Sequence, residues 1–234
     1  MAGARGWWPV GVMVFGLTVV NIASNRVAPD AWYVPLAVLS AGALVWFAVR
    51  VDGRTLAELG MARAQVGRGL RWGAVLAGTV LALYLVALVF PATRDLFRDD
   101  RVEGWSFGRT AYAAFVRVPL GTVLLEEVAF RAVLPALLLA RTRAWVAVAV
   151  SAGLFGLWHV LPALGLETVN PVASDTVGQL PGWITVVAAV VSTSAVGVWF
   201  LFLRHRSGSV LAPMALHWAT NGLGYLFAWF VWTH

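Results

Sequence analysis

Glu126, Glu127 and Arg131 lie in GTVLLEEVAFRAVLPALLLA, one of the most apolar stretches of the chain. A charged side chain near the centre of a bilayer-spanning helix costs about 2.5–3.5 kcal/mol on insertion scales. Three within six residues therefore need partners or a task, and such groups face a bundle interior or a wet cavity. Two further polar intrusions follow. His159 stands in SAGLFGLWHVLPALG, and His217 and Asn221 stand in VLAPMALHWATNGLGYLF. The other histidines, His205 and His234, fall in a basic loop and at the C-terminus and read as solvated.

Helical spacing sorts these groups. Glu127 and Arg131 are four apart, so they stack on one face and can pair within the membrane. Glu126 is rotated about 100° from Glu127 at 3.6 residues per turn, so it can point elsewhere. His217 and Asn221 are again four apart and are expected to present two polar tips to one point. Phe155, four before His159, can flank the imidazole. Three helices thus offer one uncommitted carboxylate, two imidazoles and a carboxamide.

That inventory suits peptide hydrolysis. A carboxylate in a pocket of low dielectric gains proton affinity and can serve as general base to a water. Imidazoles can fix that water or donate to a developing oxyanion, and a carboxamide can donate as well. Glu126, His159 and His217 are also a catalytic zinc ligand set with an open position. Ser192 and Ser194 have no base beside them in sequence, and the absence of cysteine excludes thiolate catalysis, thiolate metal sites and disulfides. Taken singly, each group has a plainer reading. Glu127 with Arg131 is a structural ion pair, His159 a packing residue and Asn221 helix–helix glue. Arg117 is a snorkelling residue, or a partner for the site from further along the same segment. Only their joint occurrence favours a functional site.

The elements that must carry these groups are membrane helices. The chain is 60% hydrophobic and 12% charged, far from the roughly 25% charged of soluble domains. Its net charge of +6 comes from 17 arginines without a lysine. No segment is long enough for a soluble domain with a basic face, so nucleic acid is not an expected partner. Seven apolar segments stand out, at about 7–24, 32–49, 70–91, 109–140, 144–163, 181–203 and 209–232. The fourth contains Pro119 and Pro135 and is long enough to tilt, kink or split into an eighth element. The first lacks a small-x-small cleavage site and is expected to be an anchor rather than a signal peptide. Segment 51–69 reads as an interfacial helix and turn, 92–108 as a solvated loop and 164–180 as an outer loop.

In a seven-span arrangement ten arginines fall on one side and five on the other. This bias predicts a multi-pass protein of the cell membrane with its N-terminus in the cytoplasm and its C-terminus outside. The expected fold class is all-α: a single integral membrane domain over 1–234, formed by a polytopic transmembrane helix bundle.

The motifs together resemble a known family. EEVAFR at 126–131 fits E-E-x-x-x-R, FGLWH at 155–159 fits F-x-x-x-H, and HWATN at 217–221 fits H-x-x-x-N. In this order, on successive membrane segments, they resemble the CPBP intramembrane proteases, the Abi group that includes CAAX prenyl endopeptidases and bacteriocin-processing or self-immunity proteins. The resemblance covers a core of about 107–232, and the first 50 residues only in hydropathy. It implies an intramembrane endopeptidase acting on a membrane-associated peptide or protein. In that role Glu126 activates water, His159 helps hold the water or a metal, and His217 and Asn221 stabilise the oxyanion, while Glu127 and Arg131 orient Glu126. The family is called metalloprotease, but a metal-free glutamate mechanism is also argued for it, so zinc and no metal both stay open. Two other classes compete: a non-catalytic immunity factor or scaffold with a structural polar cluster, and a small transporter or proton pathway. Against the last, the sequence has no internal symmetry between halves.

Overall fold

A computed structural model describes residues 6–164 and 181–234. All regular structure among the described residues is helical. We number eight helices: α1 (Trp8–Ile22), α2 (Tyr33–Arg50), α3 (Leu56–Leu59), α4 (Arg63–Val89), α5 (107–139), α6 (Ala144–Trp158), α7 (Gly182–Ser207) and α8 (211–233). Five stretches are long and apolar enough to cross a membrane: Trp8–Val27, Asp30–Arg50, Leu56–Val89, Ala144–Ala163 and Gly182–Ser207. The protein is a multi-pass membrane protein.

Of the seven expected spans, 109–140 and 209–232 are helical but are not among these five. Both are interrupted by the polar groups of the site, with Glu126, Glu127 and Arg131 on α5 and His217 and Asn221 on α8. The expected third span begins earlier, at Arg63, so Arg63 and Arg68 belong to α4 rather than to the interfacial helix and turn expected over 51–69. The expected interfacial element is α3, one turn closed by a capping box in which Thr55 and Glu58 satisfy each other's backbone. The 92–108 stretch is a series of short helical turns rather than an open loop. Nearly all of the expected outer loop, 165–180, lies outside the described residues.

α5 is the central element, and every residue from 125 to 138 is buried. It does not split at its prolines. The chain stays in right-handed helical geometry at each junction and takes π-helical form over Ala113–Val123, around Pro119, and over Val128–Val133. Proline removes one backbone donor and crowds the preceding turn, and a wider turn is one way a helix absorbs that. Around α5, α2 packs on one side and α6 on another, while α6 pairs with α7 and α4 with α8.

These pairings rest on small residues, as expected where lipid gives no hydrophobic drive between helices. A Cβ on Gly156 of α6 would lie 2.5 Å from the Val190 carbonyl of α7 and nearer still to the Ser194 hydroxyl. At the α2–α3 end, the buried Asp52 carboxylate is paired with Arg141, just beyond α5, and with Arg54 at 3.1 Å. That cluster ties the connection before α4 to the foot of the central helix.

Candidate active site

Glu126 and Glu127 sit in a short α-helical turn, Leu124–Glu127, between the two π-helical stretches of α5. Both side chains are buried. They diverge as helical spacing predicts. Glu126 Oε1 accepts a hydrogen bond from the indole Nε1 of Trp158, 3.0 Å away. Its other oxygen, Oε2, has no hydrogen-bond partner among the described residues. Oε2 lies 3.9 Å from Nε2 of His159 and 3.9 Å from Nε2 of His217. Such gaps are too long for direct hydrogen bonds and suit an intervening water.

The two imidazoles are held from behind. His217 Nδ1 donates to Glu127 Oε1 at 2.8 Å. His159 Nδ1 donates to the Phe155 carbonyl at 2.8 Å. The Phe155 carbonyl can only accept, so His159 Nδ1 carries hydrogen; against an ionised Glu127, His217 Nδ1 does too, and both Nε2 atoms face Glu126. A neutral imidazole in this tautomer offers Glu126 and its surroundings a lone pair. Only a protonated one can donate.

Arg131 completes the buried set. Its Nε is 3.4 Å from Glu127 Oε2, and none of its nitrogens makes a hydrogen bond among the described residues. The guanidinium lies over the ring of Phe155 at 3.7 Å and near that of Phe200 at 4.9 Å. Its charge is therefore met by one carboxylate and two ring faces. Phe155 also packs edge-on against His159 at 4.6 Å, and Phe200 packs against His217 at 5.6 Å. Each phenylalanine thus links the arginine to one imidazole.

Glu126, Glu127, Arg131, His159 and His217 are brought together. Asn221 is not bonded to them. It is exposed, among the described residues its side chain is hydrogen-bonded only by the Thr220 hydroxyl at 3.4 Å, and it lines the cavity that also reaches Glu126 and His159. His217 is buried, whereas Asn221, within the π-turn Ala219–Leu223 of α8, is exposed. The cavity measures about 900 Å³ and is otherwise walled by residues such as Tyr33, Arg117 and Tyr225.

The donors Glu126, His159 and His217 are of zinc type. However, among the described residues no group of three His, Asp or Glu is placed to hold a metal ion. The 3.9 Å separations also exceed the roughly 3.3 Å between ligands of a tetrahedral zinc with bonds of 2.0–2.1 Å. As they stand, these residues do not form a metal site.

Sequence reasoning missed Trp158, Phe200 and Tyr33. Trp158 had a signal, since it directly precedes His159. Its backbone carbonyl in turn accepts from Asn21 of α1 at 2.8 Å, which fixes the tryptophan from the opposite side. Trp158→Phe is expected to leave Glu126 Oε1 unpartnered and to lower kcat about ten- to hundredfold, the worth of a hydrogen bond to a charged group. Steady-state cleavage kinetics check this, and an unchanged kcat would show that the indole does not position the carboxylate.

A buried carboxylate with one free oxygen between two imidazoles, set among membrane helices and open to a cavity, defines the class: a multi-pass membrane protein with a buried Glu/His cluster inside its helix bundle. Residues 108–223 match the family described as type II CAAX prenyl endopeptidase Rce1-like, and all three motifs lie within the match. The chain carries a domain of that family, and membership implies a peptidase. No curated protein and no solved structure gives a match.

Proposed function

We propose that this protein is an intramembrane endopeptidase that cleaves membrane-associated peptides or proteins with a water activated by Glu126. The observation that carries the reading is the unpartnered Oε2 of buried Glu126, 3.9 Å from both Nε2 atoms. A water in that gap gives its proton to Oε2 as its oxygen attacks the peptide carbonyl, and Glu126 then passes the proton to the departing amine. Trp158 holds the other carboxylate oxygen and so aims Oε2. His159 holds the water. His217, protonated, and Asn221 donate to the oxyanion. Glu127 faces both Arg131 and His217.

The test is reconstitution of the chain in liposomes with candidate membrane peptides. Cleavage that disappears in Glu126→Ala supports the reading, and cleavage that survives it removes the mechanism.

We further propose that α5 and α8 also span, giving seven crossings with the N-terminus in the cytoplasm. The arginine bias supports this orientation. The chain has no cysteine, so single cysteines introduced near Arg54 and near Asp100 report their own side. Labelling of both from the same side would overturn the orientation.

A further inference from the structure

The cavity extends beyond Glu126 along α5 to Arg117, nine residues earlier, which is on the order of 10–13 Å along the helix axis. Arg117 is half-buried, and among the described residues it has no carboxylate at ion-pair distance. A snorkelling arginine would run out to the interface along apolar surface. Arg117 instead lies across the ring of Tyr33, 4.3 Å from its centroid, in the cavity wall. An intramembrane cation without a partner is a candidate binding group.

Tyr33 is itself fixed in place. Its hydroxyl is hydrogen-bonded to Thr122 Oγ1 at 3.0 Å, one turn before Glu126. A Cβ on Gly121 would lie 2.6 Å from the Tyr33 ring, so the ring rests directly on the backbone of α5. Tyr33 belongs to α2 and lies outside the matched family domain.

A second cavity of about 570 Å³ is walled by Arg117, Arg101 and Asp30 as well, which places it beside the first, and adds Arg109. Arg101 is neutralised by Asp99, its NH2 2.5 Å from the carboxylate. In the second cavity that leaves Arg117 and Arg109 against Asp30, while the carboxylate of Glu126 lies in the first.

We propose that Arg117 and the Tyr33 hydroxyl form an anion subsite that takes a carboxylate of the substrate, three to four extended residues from the bond at Glu126. The location of that bond rests on the proteolytic reading. The carboxylate is either the C-terminus of the peptide or an acidic side chain. Guanidinium and phenol N–H and O–H groups donate to it, and the ring of Tyr33 holds the guanidinium in place.

The test measures binding of labelled apolar hexapeptides to the full chain carrying Glu126→Gln, so that nothing is cut. The probes are a free acid, its amide, and amidated peptides with either Glu or Gln inside. The acid, or the Glu peptide, is expected to bind at least tenfold tighter than its uncharged counterpart, and which of the two does so names the source of the carboxylate. The ratio should fall to about one in Arg117→Gln, recover in part in Arg117→Lys and shrink severalfold in Tyr33→Phe. No peptide binding, equal binding of charged and uncharged peptides, or a ratio that persists in Arg117→Gln would overturn the subsite. If the native chain shows the ratio but cuts no peptide, the proteolytic reading fails and the subsite stands. If it cuts acid and amide alike in a Glu126-dependent way, the subsite fails and proteolysis stands.

Discussion

Glu126→Gln is expected to give a folded bundle that cleaves peptides at less than about one-thousandth of the native rate. Glutamine has the shape of glutamate, and its amide oxygen can still accept from Trp158 Nε1, 3.0 Å away in the native site. The packing around residue 126 is therefore kept. What disappears is the base, and positioned general bases contribute about 10²–10⁴-fold. Stability should hold or rise, because the change removes a buried charge whose Oε2 has no hydrogen-bond partner. Thermal unfolding in detergent and cleavage in liposomes together check the result. Activity within tenfold of native would show that Glu126 is not the base.

Arg131→Ala should act the other way, on the fold first. Arg131 is 2% exposed and, among the described residues, is the one arginine paired with the fully buried Glu127. Removing one partner of a buried ion pair costs about 3–5 kcal/mol, because the remaining charge stays buried. The space between Phe155 and Phe200 adds a cavity to that loss. The double change Glu127→Gln with Arg131→Met should recover most of the stability, since neither charge is left. It should still be slow, because His217 has lost its carboxylate. Denaturant unfolding separates these outcomes. An Arg131→Ala chain as stable as the native one would show that ring contacts and the ion pair contribute little to the fold.

The all-α class was legible from hydropathy, and the divergence of Glu126 from Glu127 from helical rotation alone. So was the pairing of Glu127 with Arg131, which is a local four-residue contact. Three features were not legible, each for its own reason. The start of α4 at Arg63 was hidden because its arginine-bearing first turns read as part of a separate interfacial helix, although a helix can continue past the membrane surface. The contacts of Phe200 and Tyr33 join residues distant in the chain, which leave no periodic trace in sequence. The π-turn at Ala219–Leu223 is announced by nothing in HWATN. Reading Glu127 and Arg131 as a closed pair was incomplete for a similar reason, since Glu127 also holds His217 from ninety residues away.

The π-turn at Ala219–Leu223 has a further consequence for how α8 works as one object. A π-turn is the signature of an extra residue accommodated within a helix. Excising one residue there would restore ordinary α-helical phase. Everything beyond it, including Tyr225 in the cavity wall, would keep its bearing relative to His217, because the wide turn already absorbs that residue. Excising a residue elsewhere between them would swing the far half about 100° around the axis. The helix behaves like a shaft with two cranks: one drives the imidazole against the two glutamates, and the other shapes the passage that leads to them.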